Sequence, residues 1–153
     1  MKYSDFRPRL KGNKKIAYDN LNSNERRILV IGDIHAPFEL DGYLDFCKET
    51  YAKYLCNQVI YIGDIIDNHY TSYHETSADG AGGLDELKYA IKAVKKWRKA
   101  FPKADVLIGN HDRMVMRKAQ TSDIPSAWIK SYNEVLGTNW NWVERCLLYT
   151  SDA

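Results

Sequence analysis

Arg27-Ile28-Leu29-Val30-Ile31-Gly32-Asp33-Ile34-His35 is a short apolar run that ends at a glycine and then sets an aspartate and a histidine one residue apart. A continuous run of β-branched and aliphatic residues predicts a strand buried on both faces. Gln58-Val59-Ile60-Tyr61-Ile62-Gly63-Asp64-Ile65-Ile66-Asp67 repeats the pattern, and Asp105-Val106-Leu107-Ile108-Gly109-Asn110-His111-Asp112 gives it a third time. The intervals are helical. Over 41–55 the residues Tyr43, Leu44, Phe46, Cys47, Tyr51, Tyr54 and Leu55 recur at helical spacing with charges between them. Over 84–100 the apolar face is Leu84, Leu87, Ala90, Ile91, Val94 and Trp97, and Phe101-Pro102 ends the helix. Strands alternating with helices predict an α/β fold with a mainly parallel sheet, whose ligands gather at the carboxyl ends of the strands. All three motifs fall at such ends.

Outside this frame, 68–83 reads as a loop too long for a simple connector. Residues 113–119 and 124–135 read as further helices, the second ending at Leu136-Gly137, and 139–144 as a strand or turn. Trp128, Trp140 and Trp142 are expected in the core. The chain has 153 residues, which suits one domain, with 44% hydrophobic and 27% charged residues, so neither disorder nor membrane insertion is indicated. No apolar run approaches the ~18 residues that span a bilayer. The polar, basic leader over 1–26 has no signal-peptide core, which favours a cytoplasmic location. Cys47, Cys56 and Cys146 form neither a metal-type pair nor an even disulfide set. A net charge of +2 makes no case for nucleic acid by itself. The clusters Arg7, Arg9, Lys11, Lys14, Lys15 and Lys92, Lys95, Lys96, Arg98, Lys99, Lys103 read as solvated surface, with a phosphate-bearing polymer as the alternative.

The chemistry follows from what each strand end can donate. Asp33 and His35 can turn to one side and chelate an ion, and a carboxylate with an imidazole suits Mn, Fe or Zn better than Ca or Mg. Asp64 can bridge two ions about 3.5–4 Å apart. Asn110 offers an amide oxygen. His111 can protonate a leaving group or hydrogen-bond a phosphoryl oxygen, and Asp112 can hold its ring in one tautomer. Two cations lower the pKa of a bound water and neutralise charge on phosphoryl oxygens, so in-line attack on phosphorus is the natural reaction. Each fragment alone is ordinary turn chemistry; three in this order are not.

These residues carry a resemblance. From about Ile28 to Asp112 the chain resembles the calcineurin-like metallophosphoesterase superfamily, whose pattern is Gly-Asp-x-His, Gly-Asp-x-x-Asp, Gly-Asn-His-Asp/Glu, a lone His, then Gly-His-x-His. The resemblance implies that Asp33 and His35 bind the first metal, Asp64 bridges, Asn110 binds the second and His111 is the catalytic acid, with Asp112 beside it. Asp67 falls near the site without being an obligatory ligand. The implied fold is four-layered, a β-sandwich of mixed sheets flanked by helices, with 27–145 supplying its N-terminal half to two-thirds. Ala36, Asn68 and Asp112 replace the Gly, Arg and Glu of the serine/threonine phosphatases, which disfavours protein phosphatase activity. The loop from Asn68 to Glu75 and the stretch from Ala104 to Lys118 look most like phage-type phosphoesterases. Asn68, His69 and His74 are candidate substrate-side groups, although a packed or solvated loop histidine is the commoner case, and Tyr70 and Tyr73 can stack a base.

The expected cofactors are thus two divalent ions, and the expected partner is a phosphate ester, nucleotides and nucleic acids among the candidates. All four histidines, His35, His69, His74 and His111, precede residue 112, so the superfamily's downstream histidines have no counterpart here. The first ion keeps Asp33, His35 and Asp64, whereas the second keeps only Asp64 and Asn110. The alternative to a phosphoesterase is therefore a catalytically incompetent fragment, or a module that binds phosphate or nucleic acid without turnover. The segment 146–153, Cys-Leu-Leu-Tyr-Thr-Ser-Asp-Ala, resembles the translation of a transposon-derived sequencing adaptor and is expected to be a non-native tail.

Overall fold

A computed structural model describes residues 25–71 and 82–144. The leader before residue 25, His74 with Tyr73, and the tail over 146–153 lie outside the described residues. Four strands form one sheet in sequence order, β1 (Ile28–Ile31), β2 (Gln58–Tyr61), β3 (Asp105–Leu107) and β4 (Asn141–Val143). Every pairing is parallel, with Ile28 opposite Gln58, Ile60 opposite Asp105, and Asp105 opposite Asn141. The helices are α1 (Tyr43–Lys53), α2 (Gly83–Ala100), α3 (Met114–Thr121) and α4 (Tyr132–Leu136). Among the described residues the sheet is single and wholly parallel, and a second sheet of the expected sandwich is not among them.

The strand side chains alternate as a pleated sheet requires. Leu29 and Ile31 of β1, Val59 and Tyr61 of β2, and Val106 of β3 point into a core completed by Cys47 of α1, by Ala90, Ala93, Val94 and Trp97 of α2, and by Leu136 and Trp140. Aromatic rings dominate it. Tyr61 lies 4.8 Å from Trp140 and 6.2 Å from Trp97 between ring centroids, and Tyr43 meets Trp97 edge-on at 5.4 Å. Trp140 Nε1 donates to the Phe101 carbonyl at 2.9 Å, so the indole is buried without an unsatisfied donor.

Several expectations need correction. Among the described residues β1 is an edge strand, and Val30 on its outer face is 49% exposed rather than buried on both sides. Phe46 and Tyr54 of the α1 segment and Leu84 of α2 also face solvent. The buried stripe of α2 runs Glu86, Ala90, Ala93, Val94, Trp97, so a carboxylate occupies the first turn of the apolar face. The helix expected over 124–135 is broken. Pro125 fixes an extended backbone before a 3-10 turn at Ser126–Trp128, and α4 starts afresh at Ser131 through a capping box with Glu134. Trp128 is consequently 81% exposed, whereas Trp140 is in the core and Trp142 stacks on Tyr132 at 4.4 Å.

Candidate metal centre

Parallel pairing brings the ends of β1, β2 and β3 to one edge, and the three turns that follow are stitched to one another through the backbone. His35 N donates to Asp64 O and Ala36 N to Ile65 O, both at 2.9 Å, while Asp67 N returns a bond to Ala36 O at 3.0 Å. Ile34, Ile65 and Ile66 go into the core between the polar residues. Asp33, His35, Asp64 and Asn68 all have positive φ, between 33° and 53°, a region that non-glycine residues enter at a cost and that recurs at functional sites. Gly63 (φ 113°) and Gly109 meet back to back. A Cβ on Gly63 would lie 2.7 Å from Gly109 Cα, and one on Gly109 would overlap the Asp64 carboxylate. Glycine is required at both positions by contact.

Ligating atoms of Asp33, His35 and Asp64 lie within 4.8 Å of one another. Three protein donors at that spacing, two carboxylates and an imidazole, suit a divalent transition ion with open positions for water or substrate. The Asp64 carboxylate is oriented by the His111 amide, which donates to its Oδ1 at 2.9 Å. Asn110 is exposed in the same turn, one residue before His111.

A second group, His35, Asp67 and His111, also lies within ligating range. Its atoms are already engaged with each other. His35 Nδ1 is 2.8 Å from Asp67 Oδ1, and His111 Nδ1 is 2.6 Å from the Asp67 carbonyl oxygen and 3.7 Å from its Oδ1. A carbonyl oxygen only accepts, so His111 Nδ1 carries a proton and donates it, which directs Nε2 outward. The two imidazoles meet edge to face with centroids 4.6 Å apart. Asp67 thus orients both rings, in the way carboxylates behind ligating histidines do.

Asp112 does not touch the His111 ring, which corrects its expected role. It is 1% exposed and accepts four backbone amides, from Asp64 and Gly109 on Oδ2 at 2.9 Å each and from Ile65 and Ile66 on Oδ1 at 3.0 and 3.3 Å. Burial pushes its carboxyl above the ordinary range, and the amides of Gly109, Ile66 and Asp64 pull it back. Tyr132 donates its hydroxyl to the Asp112 carbonyl at 2.9 Å, and burial with the Asp112 charge pushes that phenol up to about 12. Asn68 Nδ2 donates to the His111 carbonyl at 2.9 Å, a scaffolding bond.

His69 sits in a 3-10 turn, His69–Thr71, with its ring against Tyr70. Sequence reasoning passed over Glu86, which holds this turn. It is 5% exposed, and its two oxygens accept the amides of His69 at 2.7 Å and Tyr70 at 3.3 Å. A glutamate on the apolar stripe of α2 was the available signal.

Among the described residues no helix is long and apolar enough to cross a membrane. Residues 26–148 match a family model described as calcineurin-like phosphoesterase. No curated protein and no solved structure gives a significant match.

Proposed function

Because the chain belongs to the calcineurin-like phosphoesterase family, we propose that its strand-end cluster performs metal-dependent hydrolysis of a phosphate ester. The observation that carries this is the convergence of Asp33, His35 and Asp64 within 4.8 Å, with the His111 ring 4.6 Å from that of His35. Asp33, His35 and Asp64 would hold one divalent ion, Mn, Fe or Zn, and Asp64 with Asn110 the second. Such ions supply a lowered pKa for water and neutralisation of phosphoryl charge.

The protein groups do the rest. Asp67 fixes His111 through Nδ1, so that Nε2 faces the substrate and, in the imidazolium, delivers a proton to the leaving oxygen as the phosphorus–oxygen bond breaks. The Asp67 carboxylate, 3.7 Å from Nδ1, stabilises that imidazolium. The narrow turns around Gly63 and Gly109 keep Asp64 from swinging away.

With nitrophenyl phosphate and Mn²⁺ the expected result is metal-dependent release of nitrophenol, abolished in Asp64→Ala. His111→Ala should retain the metal and lose roughly 10²–10⁴-fold in rate, the usual share of a proton donor. An unchanged rate in His111→Ala would remove that residue from the chemistry. One observation favours a second reading. Among the described residues the second ion would have a carboxylate and a neutral amide, a poor donor set that favours binding of one ion and phosphate with little turnover. Metal and phosphate binding without nitrophenol release would establish that alternative.

A further inference from the structure

A cleft of about 360 Å³ opens beside the metal-ligand cluster, between the turn after β1 and the first turns of α2. Pro37, Phe38, Tyr70 and Tyr89 line it together with the polar His69, Glu86 and Asp67, the last of which orients both site histidines. We propose that this cleft holds the base of a nucleotide whose phosphate lies at the metal-ligand cluster, an inference that rests on the phosphoesterase reading above and names its substrate class.

Four observations converge. Phe38 is 64% and Tyr89 58% exposed, two large rings held open to solvent where burial would otherwise be favoured. Phe38 is placed by the metal-binding turn itself, its amide donating to the His35 carbonyl at 2.7 Å. Tyr70 is fixed on the opposite side, by Glu86 through its backbone amide and by Gly83, whose Cα position leaves room for the Tyr70 side chain at 3.4 Å from where a Cβ would stand. Asp67, which bonds both site histidines, also lines the cleft and so sets it against the metal-ligand cluster. Aromatic walls recognise a flat π-system by stacking, whichever base it is. The volume falls in the ~300–1,000 Å³ range of small-molecule sites, more room than a single phenyl ring needs.

The test compares dissociation constants of adenosine monophosphate, ribose 5-phosphate and phenyl phosphate for the full chain with Mn²⁺. Chemical-shift mapping with adenosine alone, without metal, accompanies it. Adenosine monophosphate should bind at least about tenfold more tightly than the other two, the scale of one stacked base. In Phe38→Ala and Tyr89→Ala that ratio should fall toward one, and adenosine should shift the signals of Phe38, Tyr70 and Tyr89. The exposure of both mutated rings leaves the core intact, and circular dichroism checks it. Equal affinities for the three phosphates, an undiminished ratio in both variants, or no shift with adenosine would each overturn the base site. Phenyl phosphate binding as tightly as the nucleotide would do so as well, since any aryl group would then suffice. Absence of Mn²⁺-dependent ribose 5-phosphate binding, with the adenosine shifts present, would instead defeat the phosphoesterase reading and leave the base site standing.

Discussion

Both oxygens of Asp112 accept backbone amides, and those amides belong to the turns that present Asp64 and His111. An ionised carboxylate accepts on every side, whereas an amide of the same shape accepts on one side and donates on the other. Asp112→Asn would therefore aim an NH2 group at two N–H donors. We expect it to cost roughly 3 kcal/mol despite being isosteric, because two buried amides lose their acceptor. Urea denaturation monitored by tryptophan fluorescence measures this, and a loss below about 0.5 kcal/mol, the range of a neutral surface change, would show that the turns do not depend on the carboxylate. Sequence reading placed Asp112 beside His111 correctly in the chain but could not see its direction. Which of two neighbouring carboxylates reaches an imidazole is decided by the turn after β2. That turn carries the Asp67 carboxylate to His35 Nδ1 and the Asp67 backbone carbonyl to His111 Nδ1, while Asp112 reaches neither ring.

Elements were legible where the apolar pattern was long or unmixed. β1, β2 and β3 each appear within a residue of the ends expected from their apolar runs, because β-branched and aliphatic residues favour the extended, packed backbone of a strand. The region 124–135 reads as one helix, wrongly, because its apolar residues keep helical spacing across a backbone that Pro125 holds extended. The true start is local and polar. Ser131 Oγ accepts the Glu134 amide at 3.3 Å, and Glu134 Oε2 accepts the Ser131 amide at 2.9 Å. Ser131 also draws the exposed Glu134 carboxyl below its ordinary range, so this small contribution is present above the unfolded carboxylate range and fades as pH falls through the lowered value. Ser131→Ala should destabilise by about 1 kcal/mol. Since α4 carries Tyr132, which braces the Asp112 carbonyl, amide exchange in the turn after β3 should quicken in the same variant. Unchanged exchange there would mean that α4 does not support the site.

At the scale of the whole molecule, one parallel sheet explains why the site exists at all, for it delivers three turns to one edge and packs the opposite side chains against α1 and α2. The core that holds this frame includes a costly atom. The Tyr61 hydroxyl is buried with no hydrogen-bond partner among the described residues, and burial drives its pKa far upward. Tyr61→Phe should therefore raise stability by about 1 kcal/mol, seen as a higher Tm in calorimetry; a lower Tm would indicate that the hydroxyl is satisfied. Metal occupancy is the property on which everything else rests. Titration of the 153-residue chain with Mn²⁺, followed by the loss of the free-ion electron paramagnetic resonance signal, should show saturable uptake of the ion, with the site of Asp33, His35 and Asp64 filling first. Binding should vanish in an Asp64→Ala variant that still melts cooperatively. Uptake unchanged in that variant, or no uptake by the unaltered chain, would contradict the assignment of Asp33, His35 and Asp64 as a metal centre.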